Sequence, residues 1–134
     1  MSMSVYRADA SLTAPLKTGT PFLMLHIGDP GYQGLNNEAQ ISAADITRKA
    51  ITFGTIGDHG TNMERRVLNS AQVAWSGAEI DAAQSITYFS IWSAVSGGNC
   101  EFIDAITVPK TTGSDGVTIA IGDLEVAIEV FAKS

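Results

Sequence analysis

The hydrophobic positions of this chain repeat every second residue far more often than every third or fourth, and that period is the signature of strands. In "AQVAWS", residues 71–76, Ala71, Val73 and Trp75 point one way and Gln72 and Ser76 the other. "QSITYFSIWS", 84–93, is aromatic and β-branched throughout. Alternation puts Ile86, Tyr88 and Trp92 on one face and Thr87, Phe89 and Ile91 on the opposite one, so this strand is expected to be covered on both sides. "EFIDAITV", 101–108, is a similar run, and "LEVAIEVF", 124–131, sends Leu124, Val126, Ile128 and Val130 inward and Glu125 and Glu129 outward. Further strands are predicted at 21–27, 48–53, 64–69 and 117–121. Between them stand "GDPGYQG", "GTIGDHGTN", "SGAE", "SGGN", "TTGSDG" and "GD", each rich in residues that tolerate turn geometry. Helix signals are sparse: a turn or two within 38–46, and a short helix beginning in "DASLTAPL", 9–16, that Pro15 would end.

Seven to eight short strands separated by such turns predict an all-β chain, a single antiparallel β-sandwich domain of jelly-roll type over residues 1–134. Helical turns at most are expected beside them. Residues 1–20 are expected to form an N-terminal arm or short helix that contacts a partner.

Composition narrows the function. Only 16% of the 134 residues are charged, against 45% hydrophobic. So little charge fits a surface covered in part by a partner, and equally a surface of Ser, Thr, Asn, Gln and Gly. The net charge is −6, with eight Lys and Arg residues. Their densest group is Arg65–Arg66, beside Glu64, which argues against nucleic acid binding. The chain lacks an apolar run long enough to span a membrane, and "MSMSVYRADA" has no signal-peptide core. The one cysteine, Cys100, excludes an internal disulfide. Synthesis in a reducing cytoplasm is expected.

The stretch that looks most like chemistry is "LMLHIGDPGYQGLNNE", residues 23–38. Its glycines, Gly28, Gly31 and Gly34, match neither a dinucleotide fingerprint nor a phosphate-binding loop, and Asp29 would repel phosphate. A Cys–His or Ser–His–Asp site built from Cys100, His26 and His59 lacks a nucleophile elbow. His26 is expected to be a hydrogen-bonded structural histidine and His59 a solvated one; their spacing gives no metal motif. Asp58 and Asp115 stand apart, without a calcium-loop pattern. Glu79 and Asp81 read as a solvated acidic turn rather than a carboxylate pair. No catalytic residue, metal or cofactor is expected.

Turn chemistry explains the stretch better. Asp29-Pro30-Gly31 supplies a preset φ followed by a left-handed position. Gly34 is a further turn residue, and Glu38 is expected to pin the loop by accepting backbone N–H groups or by pairing with Arg48. Tyr32 and Leu35 in the loop, and Tyr6 near the N-terminus, are the candidate interface residues.

Taken in order, "LMLHIGDPGYQGLNNE", "ITRKAITFG", "AQVAWS", "ITYFSIWSAVSGGNCEF" and "IGDLEVAIE" resemble a family of small virion proteins of tailed bacteriophages. These are variously labelled tail-fibre-like, minor tail or head-decoration proteins and are common in phages of actinobacteria. The matching positions are Leu25, His26, Gly28, Asp29, Pro30, Gly34, Asn37 and Glu38. They are followed by Arg48, Ala50 and Phe53, then by Tyr88, Ile91, Trp92, Gly97 and Gly98. Ile46 stands in place of the family's tyrosine, Ile27 in place of a threonine, and "TTGSDG" in place of a shorter turn.

The resemblance implies a non-enzymatic virion module that decorates the capsid or attaches to the tail through oligomeric contacts, as a homotrimer and with other virion proteins. The last predicted strand ends close to Ser134, so no fibre shaft or tip is expected, which favours a capping, decorating or collar-type role. The alternative is a carbohydrate-binding sandwich for host-surface glycan, with Trp75 or Trp92 as a stacking platform. Both are expected to be core residues instead.

Overall fold

A computed structural model of the chain describes residues 3–39, 47–58 and 63–130. The first element is a helix, α1 (Val5–Thr13), capped by Ser4, whose side chain accepts the Arg7 N–H at 3.3 Å. Ala8 and Leu12, one turn apart, are buried, and Leu16 continues the same stripe. The helix begins four residues before Asp9, where the sequence pattern places it. Nor does Pro15 end it, because the chain widens there into a π-type turn, Ala14–Thr18, closed by Gly19 N–H to Ala14 O at 2.9 Å. A wider turn is one way to pass a residue that has no N–H to give.

Among the described residues nine strands follow: β1 (Phe22–His26), β2 (Arg48–Ala50), β3 (Gly57–Asp58), β4 (Glu64–Leu68), β5 (Val73–Trp75), β6 (Ser85–Trp92), β7 (Cys100–Thr111), β8 (Val117–Ile119) and β9 (Glu125–Glu129). Eight of them overlap the eight predicted strands. The ninth, β3, lies in "GTIGDHGTN", which reads as a turn, and its two residues pair with Arg66 and Arg65. All strand pairings are antiparallel, in the orders β2-β1-β6-β7, β3-β4-β9 and β5-β8. The fold is all-β and sandwich-like, with one short α-helix among the described residues. Of the turn expected over 38–46, Glu38 forms an antiparallel bridge with His26, and the Ala39 N–H reaches Leu25 O at 3.0 Å. Residues 40–46 and His59 lie outside the described residues.

The core gathers between the sheets. Leu23 and Leu25 of β1, Phe89 and Ile91 of β6, Trp75 of β5 and Val126 of β9 meet there, with Leu12 of α1 closing one side. Burying a side chain the size of Phe89 stabilises the fold by roughly 1.5–3 kcal/mol. Strict alternation places Ile86 on the face of Trp92, yet Ile86 is buried in the core with Phe89, beside a register irregularity between Ile86 and Tyr88. Asn69, almost fully buried, ties the end of β4 to the β8–β9 turn. Its Nδ2 donates to Ala71 O and Ala120 O at 3.1 and 2.8 Å, and its Oδ1 accepts Leu124 N–H at 3.0 Å. α1 packs against β4 and β9, where Arg65 grips Asp9 through Nε at 2.6 Å and reaches Asp58 at 2.7 Å.

Candidate functional site

The outward face of the four-stranded sheet is not bare. Alternation sends Met24 and His26 of β1 to that face, and the register sets Met24 opposite both Arg48 and Ser90, and His26 opposite Tyr88. The loop of residues 27–38 folds back over this face, and its neck is fixed by Ile27 N–H to Asn37 O at 2.8 Å. Beneath it His26 and Ser90 are fully buried and Trp92 nearly so.

These three side chains form a directed chain of hydrogen bonds. His26 Nδ1 lies 2.8 Å from Asn36 O. A carbonyl can only accept, so Nδ1 carries the proton and Nε2 is the acceptor. Ser90 Oγ therefore donates to Nε2 at 2.7 Å and itself accepts the Trp92 Nε1–H at 2.8 Å. Burial pushes the imidazole below its ordinary value, against the opposing pull of the Asn36 hydrogen bond and the Glu38 charge. A serine at hydrogen-bond distance from a histidine has the spacing of a nucleophile and its base. Here both are sealed from solvent, and the third partner is a backbone carbonyl rather than a carboxylate. The arrangement works as a structural clamp on the loop.

Arg48 closes the neighbouring side. Its guanidinium stacks 3.7 Å from the Trp92 ring and donates to Ala94 O at 2.9 Å and Gly97 O at 2.7 Å, which fixes the β6–β7 turn. Burial lowers its pKa from the ordinary value, while the negative charge of Glu38 favours the charged form. Burial likewise raises the Cys100 thiol, which stays protonated at neutral pH.

The residues read from the sequence as loop-forming fall into distinct places. Asp29 Oδ1 accepts the Gly31 N–H at 2.8 Å, Pro30 is buried, and Gly31 and Gly34 both have φ near +71°. Glu38 sits at the base, its charge acting on both His26 and Arg48. Tyr32 and Leu35 lie on the outside of the loop, 93% and 54% exposed, beside a shallow cleft of about 80 Å³. Tyr6 is 83% exposed but belongs to α1, over the other sheet.

Sequence reading misses Ser90, Asn36 and the part played by Trp92. The signal available is parity: Ser90 and Trp92 share a strand face, and Ser90 is a polar residue inside an apolar strand. Trp75 is 1% exposed and Trp92 5%, so neither offers a ring to a sugar. A wider cleft of about 340 Å³ lies between Gly54, Asp58, Arg66 and Asn69, but Arg66 is engaged with Glu125 at 3.1 Å. Among the described residues no group of three or more His, Cys, Asp or Glu side chains is placed to hold a metal ion, and no helix is long and apolar enough to cross a membrane.

A family model described as Podophage GP4 fiber I protein gp80 matches residues 3–127, nearly the whole chain. No curated protein matches it. The match spans the helix, the covered sheet and the loop, and on that extent the chain belongs to this family of phage fibre proteins and is a component of the virion.

Proposed function

We propose that this chain is a non-enzymatic structural module of the phage fibre, joined by oligomeric contacts to copies of itself, as a homotrimer, and to neighbouring virion proteins. The observation that carries the reading is the state of Tyr32. Its side chain is 93% exposed, with Leu35 three residues away also exposed, on a loop held from beneath by His26. An aromatic residue presented to water on a frame that is already ordered is a preorganised anchor, because little further ordering is needed on binding. Membership of a fibre family supports attachment to the tail rather than decoration of the capsid.

Two measurements test this reading. Quantitative mass spectrometry of purified particles gives the copy number against the major capsid protein. A small multiple of three supports the fibre trimer, whereas on the order of a hundred copies or more would assign the chain to the icosahedral shell. Light scattering of the Tyr32→Ser, Leu35→Ser double variant tests the contact itself. A folded monomer in place of the wild-type oligomer is expected, and an unchanged mass would remove the loop from the interface.

A further inference from the structure

The loop over the four-stranded sheet is closed upon itself. Gly31 N–H is held by Asp29 Oδ1 at 2.8 Å, Gly34 N–H by Gly31 O at 3.0 Å, and Asn36 N–H by Pro30 O at 3.0 Å. These bonds travel with the loop if it moves. The ends of the loop are tied to β1 by the His26–Glu38 bridge, and a side-chain tie from the sheet to the body of the loop runs from His26 Nδ1 to Asn36 O. His26 is the link in this clamp that gains a charge on acidification, and Nε2, facing Ser90, then turns from acceptor to donor.

We infer that the 27–38 loop is an acid-released cover: uptake of a proton by His26 lifts the loop from the outer face of the sheet while the sheet itself stays folded. Nδ1 already carries a proton, so the second can enter only at Nε2. Ser90 Oγ–H then loses its acceptor. Its oxygen, which already accepts the Trp92 Nε1–H, faces a second donor. The imidazolium created there has no contact with water.

Ionisable groups on the elements packed around His26 include Arg48 of β2, Tyr88 of β6, Cys100 and Glu101 of β7, and Asp29, Tyr32 and Glu38 of the loop. Glu38 favours the charged imidazole, but burial outweighs it. Hydration is what the charge lacks. The loop is the cheaper of the two barriers to displace, since β1 is hydrogen-bonded to strands on both sides. Lifting it uncovers Trp92 and Cys100, against which Gly34 packs, and moves Tyr32 and Leu35.

The test is nuclear magnetic resonance on the full chain between about pH 8 and pH 5. The His26 ring is titrated while amide exchange is followed in residues 27–38 and in β1 and β6. After correction for the intrinsic effect of pH, loop exchange is expected to rise about tenfold for each pH unit below 6.5, levelling where His26 titrates. Exchange at Leu23, Leu25, Phe89 and Ile91 is expected to hold constant, and the same loop in His26→Gln is expected to show no such rise. Should that variant fail to fold, coincidence of the two wild-type curves decides alone. Loop exchange that follows only the intrinsic pH effect overturns the inference. So does a midpoint away from that of His26, or opening of loop and core strands together.

Discussion

Gly34 rests its bare α-carbon against Cys100: a β-carbon built on it would stand 2.6 Å from the cysteine Sγ and 3.2 Å from Trp92 Cζ2. Its φ of +71° is also one that side chains rarely adopt. Gly97, in the β6–β7 turn, has a similar φ of +65° but nothing within 4 Å of the same position. The pair separates two costs. Gly34→Ala is expected to lower stability by about 3 kcal/mol, backbone strain plus overpacking. Gly97→Ala is expected to cost about 1 kcal/mol, from strain alone. Urea denaturation of both variants checks this; equal losses would mean that the loop does not seat on Cys100.

Ser90 is the hinge of the clamp. Ser90→Ala strips the donor from His26 Nε2 and the acceptor from Trp92 Nε1–H, both inside the protein. A buried polar group left without a partner costs about 1–3 kcal/mol, so a loss of about 2–3 kcal/mol is expected. Ser93→Ala is the comparison: that serine, exposed, accepts the Asn99 N–H at 2.9 Å, and its loss is expected to stay under about 1 kcal/mol. Denaturation midpoints at neutral pH measure both.

The strand pattern was legible because Val73 and Trp75, or Leu124 and Val126, alternate against exposed or half-exposed neighbours, and burial on one face leaves that trace directly. Two things escaped it. Alternation carries no information about an irregularity in pairing, so the inward place of Ile86 left no mark. Nor does alternation say what covers an outward face. The apolar character of both faces of β6 showed that something lay over Trp92, yet the cover came from the loop beginning at Ile27, some sixty-five positions earlier. The family resemblance was legible in block order, and no single residue carried it. The Ser90–His26 pairing joins residues on two strands, and only the register of β1 against β6 brings them together.

One arginine ties the N-terminal helix to β4. Arg65 donates from Nε and Nη2 to the two carboxylate oxygens of Asp9 at 2.6 and 3.0 Å, and from Nη1 to Asp58 at 2.7 Å. The hydrogen bonds to Asp9, then to Asp58, hold the guanidinium pKa above its ordinary value. Both acids are partly exposed, which screens the pair and limits its worth. An Asp9→Asn, Arg65→Met double-mutant cycle is expected to give a coupling of about 1 kcal/mol at low salt, declining as salt is added. Additive effects at low salt would show that apolar packing of Ala8 and Leu12 alone holds the helix.

His26 also predicts how global stability varies with pH. Burial lowers its pKa in the fold below the 6.5 of an ordinary histidine. Above 6.5 the imidazole is neutral in both the folded and the unfolded chain, and its contribution to stability is fully present. As pH falls below 6.5 the unfolded chain takes up the proton first. Stability then declines by up to about 1.4 kcal/mol per pH unit until the folded value is passed. The stability advantage of wild type over His26→Gln should therefore shrink from about pH 7.5 to about pH 5.5. His59 and the carboxylates are common to both chains and largely cancel in that difference. Urea midpoints at three pH values across this range measure it, and an advantage that stays constant would mean that His26 titrates alike in the folded and unfolded chains.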